Sequence, residues 1–139
     1  MKLAAEQGHV EAQDSLGSLY SIGYEGVLTK DESQAVRWWR LAAEQGLGDA
    51  QYSLGWNYFY GLGLLQDFAL SYMWFNLAAA NRQMWIGDAE NSPFNSDRSN
   101  SRNVAASKRD IVAKLMTPAQ IAEAQKLARE CLAKNYKGC

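Results

Sequence analysis

Apolar side chains return every fourth residue in two separate stretches of the chain. Ala50, Leu54 and Tyr58 have the spacing that places side chains on one face of an α-helix. This spacing predicts a helix from about residue 49 to residue 60, with one face turned towards a core. The same stripe occurs earlier in the chain, at Ala12, Leu16 and Tyr20.

These two stretches belong to an internal repeat. The hexapeptide LAAEQG occupies residues 3–8 and returns 38 residues later at residues 41–46, and Gly17 matches Gly55 at the same offset. The following helices are related by an offset of 36, and the difference of two residues falls within residues 23–31. Surface loops tolerate such insertions and helices do not. Each repeat is therefore predicted to be a helix, a loop and a second helix.

Single residues in the repeats predict helix ends and a close helix contact. Asp31 followed by Gln34 is typical of a capped helix N-terminus, and Gly46 can end that helix in the left-handed conformation. Glycine within a helix costs about 1 kcal/mol relative to alanine. We therefore expect Gly17 and Gly55 to lie where a partner helix comes close. The buried stripe of the second helix is predicted at Ala35, Trp38 and Ala42.

The repeats share the pattern A-x-x-x-L-G-x-x-Y-x-x-G, and then D-x-x-x-A and W-x-x-x-A-A, over residues 11–46 and 49–80. Ser71 replaces the alanine of the second motif in the later repeat. In these segments the chain resembles the Sel-one-like repeats, a branch of the tetratricopeptide-like α-solenoids. The resemblance implies an all-α fold, a right-handed α-α superhelix of helix-turn-helix repeats. It also implies a protein-binding scaffold that assembles or regulates complexes.

The repeat pattern divides this single predicted domain into five parts. They are the tail of a preceding repeat (1–8), two repeats (9–46 and 47–82), a polar loop (83–100) and a degenerate pair of capping helices (101–139).

The capping helices are predicted from their own apolar stripes. Thr117, with Gln120 three residues later, predicts a capped start for the last helix. A polar outer face on such a pair would close the solenoid. The expected stripes are Val104, Ile111, Val112 and Leu115 on the first capping helix, and Ile121, Ala124, Ala128 and Leu132 on the second.

Composition narrows the classes of partner. The 139 residues include 14 Lys and Arg against 15 Asp and Glu, so a net charge of −1 gives nucleic acid or an anionic membrane little to bind. The chain as given has neither an apolar stretch that spans a bilayer nor a signal peptide. It would be cytoplasmic or, as a piece of a longer precursor, periplasmic or secreted. Two cysteines are too few for a disulfide framework, so the favoured interpretation of Cys131 and Cys139 is two ordinary thiols, and the sequence leaves their oxidation state open.

No group of residues predicts catalysis, a metal site or a cofactor. His9 is the only histidine and has no second candidate ligand nearby in the sequence. The glycine pairs at residues 46–48 and 61–63 lack the third glycine and the preceding strand of a dinucleotide fingerprint. The acidic residues within residues 88–97 lack the spacing of a calcium loop.

The helix at residues 49–60 carries more aromatic residues than its core stripe requires. In tetratricopeptide-like solenoids the first helices line the concave surface, and the resemblance implies the same here. An aromatic patch beside an acidic one suits a peptide or helix with apolar anchors and basic flanks. Alternatively, a neighbouring helix or the polar loop covers the aromatic residues. The candidate partner-binding residues are Glu11, Asp14, Ser18, Ile22, Asp49, Tyr52, Trp56, Phe59 and Tyr60.

Three functions are compatible with the sequence. The first is a non-catalytic scaffold that binds a protein or peptide on its concave face. The second is a module that self-associates through residues 1–8, the end of a helix whose own partner is missing; otherwise the chain is a piece of a longer array. The third is an enzyme, because a cysteine-rich branch of the family is linked to β-lactam binding and hydrolysis, with a cysteine spacing like that of Cys131 and Cys139. Since the two repeats contain no cysteine, we expect no enzyme.

Overall fold

The structure, a computed structural model, describes residues 2–82 and 99–139. Within these residues the regular elements are seven helices and no strand, which confirms the all-α prediction. The predicted polar loop at residues 83–100 lies outside the described residues, except for Ser99 and Asn100, which begin a helix. The helices are α1 (Lys2–Glu6), α2 (Val10–Ile22), α3 (Glu32–Glu44), α4 (Gly48–Tyr60), α5 (Phe68–Ala80), α6 (Ser99–Ala113) and α7 (Pro118–Ala133).

The helices pack as a short solenoid. α2 pairs with α3 and α4 with α5, and the contact between α3 and α4 joins the two pairs. The cap departs from this plan, because α6 and α7 both pack mainly on α5. Arg109 of α6 donates to the Asn76 side chain (3.0 Å), and Gln125 of α7 donates to the Tyr72 hydroxyl (3.2 Å). The central helix α5 is therefore buried on several sides.

The predicted helix ends are confirmed. The Asp31 carboxylate accepts a hydrogen bond from the Gln34 backbone N–H (3.1 Å), and Gly46 has the left-handed φ of +94°. Thr117 and Gln120 form a reciprocal capping box, with distances of 3.1 and 2.8 Å. Local hydrogen bonding thus fixes where α3 and α7 begin.

The two glycines within helices lie where a neighbouring helix comes close, as predicted. A Cβ atom on Gly17 would lie 2.5 Å from the Trp39 ring, and one on Gly55 would lie 2.6 Å from the Phe75 ring. Ser71 of α5 also contacts α4 at this point, because its hydroxyl donates a hydrogen bond to the Gly55 carbonyl oxygen (2.7 Å). Glycine at these positions lets α3 and α5 bring large rings against α2 and α4.

A buried polar contact that sequence reasoning missed ties successive helices together. The Gln51 amide donates to the Ala43 carbonyl of α3 (3.3 Å) and accepts from the Asn81 side chain after α5 (3.1 Å). An equivalent contact occurs one repeat earlier, at Gln13, and we call the two contacts together the glutamine ladder. In the counterpart, Gln13 donates to the Ala5 carbonyl (3.1 Å) and accepts from Gln45 (2.6 Å).

The predicted apolar stripes of the cap are wrong in part. On α6 the structure buries Ala105 and Val112, which face α5, and leaves three predicted positions exposed: Val104, Ile111 and Leu115. On α7 it buries Ala124, Ala128 and Cys131, while Leu132 is exposed. The predicted residues do lie along one side of each helix, but the surface that packs on α5 is displaced from that side.

The favoured interpretation of two ordinary thiols is also wrong, because Cys131 and Cys139 form a disulfide. After α7 the chain reverses through three residues with left-handed φ values: Asn135, Tyr136 and Gly138. This reversal brings the two Cα atoms to 5.7 Å, a separation that a disulfide spans. Spacing rules for metal sites gave no indication of this turn.

Candidate functional site

The first helices of successive units surround one cavity of about 350 Å³. On α4 the buried residues, among them Ala50, Leu54 and Tyr58, face the other helices. The helical period therefore turns Asp49, Tyr52 and Ser53 towards the cavity. Among the described residues the lining is Asp14 and Ser18 of α2, Asp49, Tyr52 and Ser53 of α4, and Ser101 and Val104 of α6.

The structure brings together some of the candidate binding residues and leaves others apart. Asp14, Ser18, Asp49 and Tyr52 share the cavity. Three lie in an aromatic cluster beside it: Trp56, Phe59 and Tyr60. Glu11 and Ile22 are exposed at opposite ends of α2.

Sequence reasoning missed Ser53, Ser101 and Val104 in the lining. Ser53 lies next to the core residue Leu54, and no separate signal distinguished it. The two α6 residues follow the segment at residues 83–98, across which the repeat register could not be carried.

The aromatic cluster comprises Tyr52, Trp56, Phe59, Tyr60 and Phe75 and extends from the cavity along α4. The Trp56 ring is stacked on Tyr60 (centroids 5.3 Å apart) and meets Phe75 of α5 edge to face (5.5 Å). The Lys108 ammonium of α6 lies 5.5 Å from the Trp56 ring centroid, within the range of a cation–π interaction. Trp56 thus connects the core at Phe75 to the exposed ring of Tyr60.

The cavity carries an unusual carboxyl group. Burial, and secondarily the charge of Asp49, raise the pKa of Asp14 to about 6. Among the described residues the Asp14 side chain has no hydrogen bond or ion pair. A cationic group that entered the cavity would favour the ionised form of Asp14.

The described residues offer few other chemical groups. They contain no cluster of three or more metal-binding side chains. Both cysteines are in the disulfide, so neither provides a thiolate nucleophile. None of the described helices has the length and apolar character needed to cross a bilayer.

The solved structures that resemble this chain include the following two. One is c5321, described as a protective antigen of uropathogenic Escherichia coli strains with an SLR fold, with 31% identity and a TM-score of 0.75 over 96% of this chain. This chain spans a quarter of it (25%). The other is a Sel1 repeat protein from Oxalobacter formigenes, with 28% identity and a TM-score of 0.52, covering 93% of this chain and 94% of that one.

A search of curated proteins found no match. The comparison with family models agrees with the likeness to the solved structures. The Sel1 repeat model matches residues 10–47 and 48–82, one match over α2 and α3 and the other over α4 and α5. The matches cover more than half of the chain, which therefore belongs to the Sel1 repeat family.

Proposed function

We propose that this chain is a non-catalytic scaffold that binds a peptide or a partner protein on its concave face. Sel1 repeats are generally protein-interaction modules. The observation that carries the proposal is the cavity to which α2, α4 and α6 all contribute. A surface assembled from three successive units has the extended form that repeat proteins use for binding.

The chemistry of the surface also supports this function. Tyrosine and tryptophan supply much of the binding energy at protein interfaces because they bury large areas and retain a polar atom. The aromatic cluster offers both residue types next to Asp14 and Asp49. A partner with apolar anchors and basic flanks would complement this combination.

Tyr60 is the sharpest probe of the proposal. Trp56 contacts Phe75, so Trp56→Ala would disturb the core as well as the surface. Tyr60 is 60% exposed, and Tyr24, in the loop between α2 and α3, is a matched control at 62%. In affinity capture from a lysate of source cells, Tyr60→Ala is expected to lose at least one partner that Tyr24→Ala retains. Equal capture by both variants would contradict concave-face binding.

Self-association through the N-terminal end is a second candidate. Leu3 of α1 is 68% exposed and lies near a shallow pocket lined by Ala4, His9 and Val10. A second copy could cover this apolar surface. Light scattering should then show a dimer that Leu3→Glu dissociates, and a monomer at every concentration would rule this candidate out.

A further inference from the structure

The helix α6 presents an apolar stripe that no other described element covers. Its members are Val104, Ile111 and Leu115, of which Leu115 lies just beyond the helix end. Spacings of seven and four residues keep these side chains on one side of the helix. We call them the α6 stripe. The buried residues Ala105 and Val112 lie beside the stripe and hold α6 against the rest of the molecule.

Two observations indicate the position of the α6 stripe relative to α4. Val104 and Tyr52 line the same cavity, and four residues later in each helix Lys108 lies over Trp56. The two helices therefore run in the same direction with matched turns. The aromatic cluster therefore lies on one side, and the α6 stripe on the other, of the surface between α4 and α6, which we call the groove.

The length of this groove suits a short helix. Val104 and Leu115 are separated by 11 positions, or roughly 16 Å at the helical rise. A helix of about three turns has the same length. Its apolar anchors at i, i+4 and i+7 would face the groove, as in other helix-in-groove complexes.

Charge distinguishes the two ends of the groove. Asp14 and Asp49 lie at the end where α4 begins, whereas the exposed Lys114 follows α6 at the other end. The raised pKa of Asp14 has burial as its first cause, and the group has no cation beside it among the described residues. A basic side chain belongs at this end, together with the positive N-terminal end of a bound helix.

We propose that the groove between α4 and α6 binds an amphipathic helix of about three turns, with aliphatic residues along one face and a lysine or arginine at its N-terminal end beside Asp14. The proposal rests on the concave-face function proposed above and specifies the chemistry of the partner. It adds the α6 stripe to the binding surface.

The probe is a phage-displayed library of random peptides of about 16 residues, selected against the intact disulfide-bonded chain. The selected peptides should be amphipathic and basic near their N-termini. In fluorescence anisotropy, Ile111→Glu should weaken their binding at least about tenfold, because it places a charge in the groove. Leu132→Glu on α7 is the matched control, with 53% exposure against 47% for Ile111, and should leave binding unchanged. Leu115→Glu provides a second groove variant, and circular dichroism verifies that each variant is folded.

The results separate this proposal from the more general one. If Tyr60→Ala abolishes peptide binding while Ile111→Glu and Leu115→Glu do not, concave-face binding stands and the α6 groove is wrong. If none of the three changes binding, both proposals fail. Recovery of no peptide, or of peptides without the basic amphipathic pattern, overturns the groove proposal. Moving the basic residue of a selected peptide to its C-terminal end should also weaken binding about tenfold, and an unchanged affinity would refute the assigned polarity.

Discussion

Replacing Asp14 by asparagine should stabilise the protein at neutral pH. The pKa of Asp14 is raised from 3.8 to about 6, so the folded protein holds this proton more tightly than the unfolded chain does. Ionised Asp14 therefore lowers the free energy of unfolding at pH values above its folded pKa. This cost decreases as the pH falls through about 6 and disappears below about 4.

The size of the effect follows from the two pKa values. Their difference corresponds to at most about 3 kcal/mol of unfolding free energy. Water reaches part of the Asp14 side chain, which reduces the expected effect to about 1–2 kcal/mol. The asparagine side chain has a similar shape without the charge, so Asp14→Asn should gain this amount at neutral pH and almost nothing under acidic conditions.

Urea unfolding followed by circular dichroism at about pH 7.5 and about pH 3.5 measures this effect. Glu11→Gln, which removes an exposed acid from the same helix, is the control and should stay within about 0.5 kcal/mol of the parent chain at both pH values. If Asp14→Asn shows no gain at the higher pH, or the same gain at both, the electrostatic account of the cavity is refuted. The gain in stability should accompany weaker binding of basic peptides.

Three further changes test the fold that carries the site. Gln51→Leu removes two hydrogen bonds of the glutamine ladder, including the one to the Ala43 carbonyl, and should cost about 2 kcal/mol in urea unfolding; a loss under about 0.5 kcal/mol would contradict the ladder's role. Gly55→Ala should destabilise by about 1–2 kcal/mol, because overpacking against Phe75 outweighs the better helix propensity; a stabilised variant would show that the ring can move. Cys139→Ser should cost about 2 kcal/mol by opening the closed loop. A reductant should lower the melting temperature of the parent chain but not of this variant, and an equal response would refute the contribution of the disulfide.

Local signals predicted the two repeats well. Asp31, Gly46 and Thr117 each determine a helix end through hydrogen bonds or backbone conformations that involve only nearby residues. Gly17 and Gly55 were informative for a different reason. Glycine within a helix is unfavourable unless a neighbour needs the space, so the long-range contact left a local trace in the sequence.

The cap and the disulfide depend on tertiary geometry that leaves no such trace. Which face of α6 becomes buried is decided by how α5 meets it, and Val104 and Ile111 are as apolar as the residues that were buried. The disulfide requires a chain reversal through Asn135 and Tyr136, whose left-handed conformations are uncommon for residues other than glycine.

The candidate site was predictable on α2 and α4 only. There the repeat register relates Asp14 to Tyr52 and Ser18 to Trp56, which are equivalent positions on the two helices. The contribution of α6 could not be inferred, since its sequence does not match the repeat and the positions of α2 and α4 cannot be aligned with it. The cavity, and the contribution of α6 to it, therefore emerged only from the folded chain.

Site-specific photocrosslinking tests the central claim of concave-face binding most directly. A p-benzoylphenylalanine is placed at position 60 or at position 24, two tyrosine sites of nearly equal exposure on different parts of the surface. Irradiation with a captured partner or a selected peptide should give a covalent adduct from position 60 and none from position 24. An adduct from position 24 alone would contradict the account.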